Sequence, residues 1–229
     1  PRFVSKNGIN LDEAAQKDFS SFNAFFTRRL KPGARPLSDG LVSPCDGLLS
    51  VYHIDDSCHF RVKGSVYTPA LLMQDESLSS SFAGGTCLVF RLTPCHYHRY
   101  IHPASGTIVS LKHIKGIFHT VRPIALEYEP VFVTNTREYT VCETENYGRI
   151  MQMEVGAAMV GKITNSVTIG EKVTRGQEKG YFEFGGSSIM VLVKKDYLNL
   201  DADILNNSKD KSVYSIDQTE YQDFINNNE

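Results

Sequence analysis

From Leu41 onward, short runs rich in Val, Ile, Leu and Phe alternate with breaks of Gly, Pro, Asp or Asn, and this pattern restricts the chain to a mostly β fold. The runs are Leu48–His53, Cys87–Leu92, Gly106–His113, Val131–Thr134, Arg137–Glu143, Arg149–Val155 and Ile189–Val193. The last is continuously apolar and reads as a buried strand. Ahead of them, Leu11–Leu30 reads as a helix. Asp12 and Glu13 open it, Phe19, Phe22, Phe25 and Phe26 give it an apolar stripe, and the prolines and glycine of Lys31-Pro-Gly-Ala-Arg-Pro36 end it. A further helix is expected near Thr68–Leu78. The tail from Leu198 is rich in Asn, Asp and Ser and is expected to be loosely attached. No repeat or low-complexity linker divides the chain. The expected class is α+β: one domain, 1–229, with a mainly antiparallel β-sheet core, an N-terminal helix and a loosely ordered C-terminal tail.

Composition narrows the partners. Of 229 residues, 41% are hydrophobic, enough for a large core, and the formal net charge is −2. Such a chain has no broad positive field, so no nucleic-acid partner is expected. Five cysteines, Cys45, Cys58, Cys87, Cys95 and Cys142, are dispersed without a CxxC pair, which fits a reducing compartment better than a disulfide framework. No apolar run approaches the roughly 18 residues that span a bilayer. No signal peptide is visible, and because the chain opens on Pro1, a segment ahead of it is expected to be missing.

The stretch Glu183-Phe-Gly-Gly-Ser-Ser-Ile-Met-Val-Leu-Val193 carries the most chemistry. Gly185 and Gly186 allow backbone conformations that other residues avoid, and a hydroxyl follows at once. Attack of Ser187 Oγ on the Gly186 carbonyl would move the acyl group from nitrogen to oxygen. Elimination and hydrolysis would then leave a pyruvoyl group capping the downstream chain. Taken alone, the tetrapeptide is more often a turn into a core strand. A serine-hydrolase elbow is disfavoured, because Ile189 stands where its last glycine belongs.

Three of the seven histidines fall in Cys95-His-Tyr-His-Arg-Tyr-Ile-His-Pro-Ala-Ser-Gly106. In an extended strand His96, His98 and His102 share one face. They read as a metal site, as satisfied core or surface imidazoles, or as a base and proton donor beside an active serine. The metal reading lacks a known zinc spacing. A base needs a carboxylate to orient it, and Asp46 in Ser43-Pro-Cys-Asp-Gly47 is the candidate, although Asp-Gly alone reads as a plain turn.

Taken in order, these segments resemble the phosphatidylserine decarboxylase family. Phe22-Asn-Ala-Phe-Phe-Thr-Arg-Arg-Leu-Lys-Pro-Gly-Ala-Arg-Pro36 is similar to its opening motif, and Val42–Gly47 to the segment carrying its catalytic aspartate. Tyr97-His-Arg99, closed by Gly106, is similar to its histidine motif. Thr120–Leu126, Asn135-Thr-Arg-Glu138, Glu143-Thr-Glu145 and Glu154-Val-Gly-Ala157 resemble core segments, and Gly180–Ser188 resembles the cleavage motif. The resemblance runs from about Phe22 to Lys195.

It implies a proenzyme cut between Gly186 and Ser187 into a large chain, 1–186, and a small chain, 187–229. Ser187 would be the nucleophile and the source of the pyruvoyl group, Asp46 the acid of an Asp–His–Ser arrangement, and His98 the residue assisting decarboxylation. The implied reaction is condensation of the pyruvoyl ketone with the amine of phosphatidylserine, loss of CO₂, and release of phosphatidylethanolamine. No metal or dissociable cofactor is implied. The partners would be phosphatidylserine in a membrane surface, the cleaved small chain and a second copy in a homodimer. The location would be peripheral, on the cytoplasmic face of the cell membrane. Phe19, Phe22, Phe25 and Phe26, beside Arg28, Arg29 and Lys31, would either form an interfacial helix or pack as core.

One position departs from the family pattern. Its second histidine falls where this chain has Ile101, and His102 lies one residue later. A one-residue shift turns a strand side chain to the other face unless a bulge restores it. His102, His98 acting twice, and His119 all remain candidates for self-cleavage. Alternatives of other classes are a poorly cleaving member, a pyruvoyl decarboxylase of another amino-acid substrate, and a small β carrier module. The last would need an exposed lysine at a hairpin tip, and none is flanked appropriately.

Overall fold

The computed structural model describes residues 2–37, 40–122, 124–157, 162–185, 187–200 and the strand at 214–216. Its strands are β1 (Gly47–His53), β2 (Phe60–Val62), β3 (Ser65–Tyr67), β4 (Thr86–Leu92), β5 (Arg99–Ile101), β6 (Gly106–Ile114) and β7 (Arg137–Thr144), then β8 (Gly148–Gly156), β9 (Ile163–Asn165), β10 (Lys172–Val173), β11 (Glu178–Phe182), β12 (Ser187–Val193) and β13 (Tyr214–Ile216). The expected strands other than Val131–Thr134 all form, to within two residues at each end. They assemble into an eight-stranded sheet ordered β10-β6-β7-β8-β12-β4-β1-β13, a three-stranded sheet ordered β5-β11-β9, and the β2–β3 hairpin. Every pairing between these strands is antiparallel.

β12 explains the layering. All seven of its residues are buried, because successive side chains enter opposite cores. Ile189, Val191 and Val193 join Leu49, Leu88, Phe90 and Ile150 under Tyr100 and Phe182 of the small sheet. Met190 and Leu192 join Met151, Met153 and Val89 on the other face, beneath the hairpin residues Phe60, Val62 and Tyr67 and the short helical segments. The small sheet therefore covers one face of the large sheet, and hairpin and helices cover the other.

The helices are shorter than the apolar spacing suggests: α1 (Arg2–Lys6), α2 (Phe22–Phe26), α3 (Pro69–Met73), α4 (Glu76–Ser79), α5 (Ala125–Tyr128) and α6 (Val131–Thr134). The single helix expected over Leu11–Leu30 does not form. Ser21 caps α2 by accepting from the Ala24 N–H at 3.0 Å. Before it, Ala14 pairs with Leu30 as an antiparallel bridge, so residues 13–15 lie against 29–31 as extended chain. The helix expected near Thr68–Leu78 is broken into α3 and α4 at Gln74, which is left-handed at φ 49°. Val131–Thr134, read as strand, is helical. Pro130 precedes it, and the buried Arg137 guanidinium donates to the Val133 carbonyl at 2.6 Å and to the Leu72 carbonyl at 2.7 Å. One cation thus satisfies the ends of α6 and α3, overriding the β preference of valine.

The expectation of a loose tail falls mostly on residues outside the described ones. Within it, Tyr214–Ile216 pairs with Gly47–Leu49 as an edge strand.

A buried ion pair joins the two sheets. Lys179 of β11 donates to both carboxylate oxygens of Glu154 in β8 at 2.7 Å, and both side chains are fully buried. Asn165 of β9 adds a bond to Glu154 at 3.0 Å and one to Glu138 at 2.7 Å, and accepts from Tyr100 at 3.0 Å. Gly180 must lack a side chain here, because a Cβ would collide with the Thr164 carbonyl oxygen. A charge stranded in this interface is costly, whereas an apolar pair of similar volume is not. Lys179→Met should therefore lower the unfolding free energy by about 3–5 kcal/mol. Adding Glu154→Met should restore most of the loss in urea titrations. A double variant as unstable as the single would contradict this account.

Candidate active site

The turn linking the two sheets holds the reactive-looking serine. β11 ends at Phe182 and β12 begins at Ser187, so the chain leaves the small sheet and enters the large one through Glu183, Phe184, Gly185 and Gly186. Gly186, one half of the expected scissile bond, lies outside the described residues. Ser187 sits opposite Leu92 of β4 and Gly156 of β8. It is fully buried, and its Oγ has no hydrogen-bond partner among the described residues. A buried hydroxyl without a partner costs stability, so its persistence calls for explanation.

His98 lies at the same end of β11. Its carbonyl accepts from the Phe182 N–H at 3.0 Å, just before the chain turns toward Ser187. Its ring stands 4.0 Å from that of Phe26. Phe26 lies 5.1 Å from Phe184, and Phe22 lies 4.7 Å from Phe184, which closes an aromatic layer over the turn. The Phe184 N–H donates to Asn23 Oδ1 at 3.1 Å, so α2 holds the turn by backbone as well as by rings.

The tautomer of His98 follows from its neighbour. Nδ1 lies 3.0 Å from the His96 carbonyl, which can only accept, so Nδ1 carries the proton. Nε2 then presents a lone pair, and it is buried without a partner among the described residues. Burial pushes the His98 pKa down to about 3, against a smaller upward pull from that carbonyl. His98 is thus a neutral imidazole with one nitrogen available to take a proton.

The other histidines diverge from the shared face expected of a strand, because β5 spans only Arg99–Ile101. His96 sits in the preceding turn, its Nδ1 accepting from the Thr93 N–H at 2.9 Å. His102 lies beyond the strand at the opposite end of β11, donating its N–H to the Gln177 carbonyl at 2.9 Å. Four residues of extended chain separate it from His98 by about 13 Å. It lines a small cavity with Thr140, Cys142 and Gln152, and burial followed by the nearby Lys179 charge pushes its pKa down to about 3. His119 is exposed. Its backbone is held by the Asn135 side chain, which also donates to the Gly156 carbonyl opposite Ser187. Among the described residues no three His, Cys, Asp or Glu side chains converge in a metal-binding geometry.

Asp46 approaches from the segment beside β5. The Val42 N–H donates to the Pro103 carbonyl and the Ile101 N–H to the Pro44 carbonyl. Continuing that antiparallel register sets Asp46 level with Arg99, at the His98 end of β5 rather than the His102 end. Its carboxylate accepts from Arg35 Nε at 3.3 Å and Nη2 at 2.9 Å. Burial alone would lower the Arg35 pKa, but these bonds and the pair with Glu13 raise it. Arg35 is the residue whose part here was not foreseen, since its partners lie 11 and 22 positions away in sequence.

Residues 22–215 match the family model described as phosphatidylserine decarboxylase. The chain is 44% identical over 211 residues to phosphatidylserine decarboxylase proenzyme 2 of Clostridium acetobutylicum, covering 90% of this chain and 72% of that protein. It is 40% identical over 215 residues to a phosphatidylserine decarboxylase proenzyme of Ruminiclostridium cellulolyticum, covering 91% and 72%. A proenzyme of the same description from Desulfitobacterium hafniense is 41% identical over 214 residues, covering 90% and 72%.

The two depressed imidazoles make stability depend on pH. Unfolded histidine titrates near 6.5, whereas folded His98 and His102 titrate near about 3. Between those values only the unfolded chain binds the proton. The stabilisation is complete above pH 6.5 and is lost as pH falls toward about 3, at about 1.4 kcal/mol per pH unit for each ring. Urea midpoints should fall steadily from pH 6.5 to about 4, with a shallower slope for His102→Gln. Midpoints flat across that window would refute the assignment.

Proposed function

The chain belongs to the phosphatidylserine decarboxylase family, and from that premise we propose that it cuts itself between Gly186 and Ser187 and then converts phosphatidylserine to phosphatidylethanolamine and CO₂. The observation that carries the reading is the Ser187 hydroxyl, buried and without a partner among the described residues, at the sheet-to-sheet turn where His98 also lies. A pyruvoyl group derived from Ser187 fits that place. It needs no side-chain donor, and it would be shielded from water by Phe22, Phe26 and Phe184.

In the cut, Ser187 Oγ attacks the Gly186 carbonyl carbon and its proton passes to His98 Nε2. The C–N bond breaks, the amine takes that proton, and Gly186 is left as an ester on Oγ. Loss of the Ser187 α-proton then expels the Gly186 carboxylate, and water releases ammonia from the resulting enamine. The pyruvoyl group supplies an electron sink for the pair left when CO₂ departs. His98 Nε2, which rests as a lone pair, would take up a proton from solvent and pass it on to the former α-carbon, the low pKa of the buried ring favouring its release. Asp46 and Arg35 form the polar wall on the His98 side. His102 faces a different cavity, so His98 serves both steps.

The lipid substrate requires contact with a bilayer, which we place on the cytoplasmic face. Phe25 and Phe26 are buried, but Phe22 is 43% exposed and packs with Phe3, while α1 has no buried residue. This aromatic face with Arg2, Lys6 and Arg29 suits an anionic membrane surface. Phe22→Ser should weaken sedimentation with phosphatidylserine vesicles by about tenfold, on the scale of one apolar side chain; undiminished binding would move the contact elsewhere.

Denaturing gels and intact masses test the cut. Wild type should give two chains, the smaller blocked at its N-terminus. Ser187→Ala and His98→Gln should give one chain, the latter slowed about 100-fold or more. His102→Gln and His119→Gln should cut normally. Cutting by His98→Gln at the wild-type rate, with failure of His102→Gln, would reverse the assignment. CO₂ released from free serine as fast as from phosphatidylserine would point to another amino-acid substrate.

A further inference from the structure

A cleft of about 330 Å³ opens beside Asp46, its wall including Asn7, Asn10, Glu13, Arg28, Arg35 and His96. Two guanidiniums line it, and they are not equivalent. Arg35 is committed to Glu13, through Nη1 at 2.9 Å, and to Asp46. Arg28 is only 5% exposed, yet it forms no ion pair among the described residues, and its Nε has no hydrogen-bond partner there. Its Nη1 reaches the Phe25 carbonyl at 3.5 Å, the outer limit of a hydrogen bond, and its guanidinium lies 5.2 Å from the Phe25 ring centre. The Asp46 and Glu13 carboxylates act on Arg28 only through space, their direct bonds being made to Arg35, so the Nε edge of its fork remains able to match oxygens of one anion.

We propose that Arg28 anchors the phosphodiester of the lipid headgroup in this cleft. The inference rests on the lipid-decarboxylase reading and extends it to headgroup recognition. Arg28 belongs to both places, lining the cleft and lying near enough to His98 for its charge to act on that ring. The substrate brings two anions, and the chemistry separates them. A guanidinium gripping the carboxylate would stabilise charge that disappears as CO₂ leaves, holding the ground state more tightly than the transition state. The phosphodiester keeps its charge throughout, so binding there positions the amine without opposing the reaction.

The test is titration of the Ser187→Ala chain with glycerophosphoethanolamine, which has the phosphodiester but no carboxylate, followed by calorimetry. Arg28→Gln should weaken binding by about tenfold or more, the scale of a charge-assisted bidentate contact. Equal binding by both proteins would overturn the proposal. So would inorganic phosphate binding as tightly as glycerophosphoethanolamine, which would mark a free-phosphate site. If Arg28→Gln fails to fold, the Nε–H resonance of Arg28 in the Ser187→Ala chain decides: it should shift on titration, and a stationary signal refutes the contact. Because binding is read without turnover, a chain that binds the headgroup but releases no CO₂ from phosphatidylserine would keep the anion site and lose the decarboxylase reading.

Discussion

Everything near the site depends on β12 being hydrogen-bonded on both edges and buried on both faces. Seven residues pair with β4 on one side and seven with β8 on the other. No residue of that strand can move without breaking a ladder or opening a core. Ser187 inherits this rigidity as the first residue of the strand. In the proposed cut, the start of this fixed strand is where the preceding carbonyl would have to meet the Ser187 hydroxyl. The Lys179–Glu154 pair serves the same end from the other sheet, fixing β11 against β8 so that the turn has two anchored ends.

Most of the sheet was readable in sequence because strand signals are local. β4, β6, β7, β8 and β12 each carry their apolar pattern within their own residues. What failed was decided by partners far along the chain. Phe19 to Phe26 show helical spacing, but residues 13–15 are taken by 29–31 as extended chain, and only α2 remains helical. Val131–Thr134 carries a strand composition, yet the Arg137 guanidinium satisfies its final carbonyls as a helix. Asn135 and Arg137 were visible as a motif. Their work, pinning the His119 and Gly156 backbones and ending two helices, needed three dimensions to be seen.

The candidate site divides similarly. Ser187 could be picked out from its glycines and the apolar run behind it, and His98 from its motif. Spacing could not rank His98 against His102, because a short β5 ends between them and sends them to opposite ends of β11. Nor could it show which of two arginines is already paired. Arg28 and Arg35 look alike in the chain and differ only in what lies beside them.

A cut between Gly186 and Ser187, as proposed, would have an architectural sequel. The residues after 186 include β12, between β4 and β8, and β13, beyond β1. The segment that such a cut would sever is therefore threaded through the sheet at two places, with two strands of the other fragment between them. Breaking one peptide bond removes a tether but leaves every ladder in place. The mature molecule would be two polypeptides behaving as one folding unit, and the smaller could depart only by unravelling the sheet that holds it.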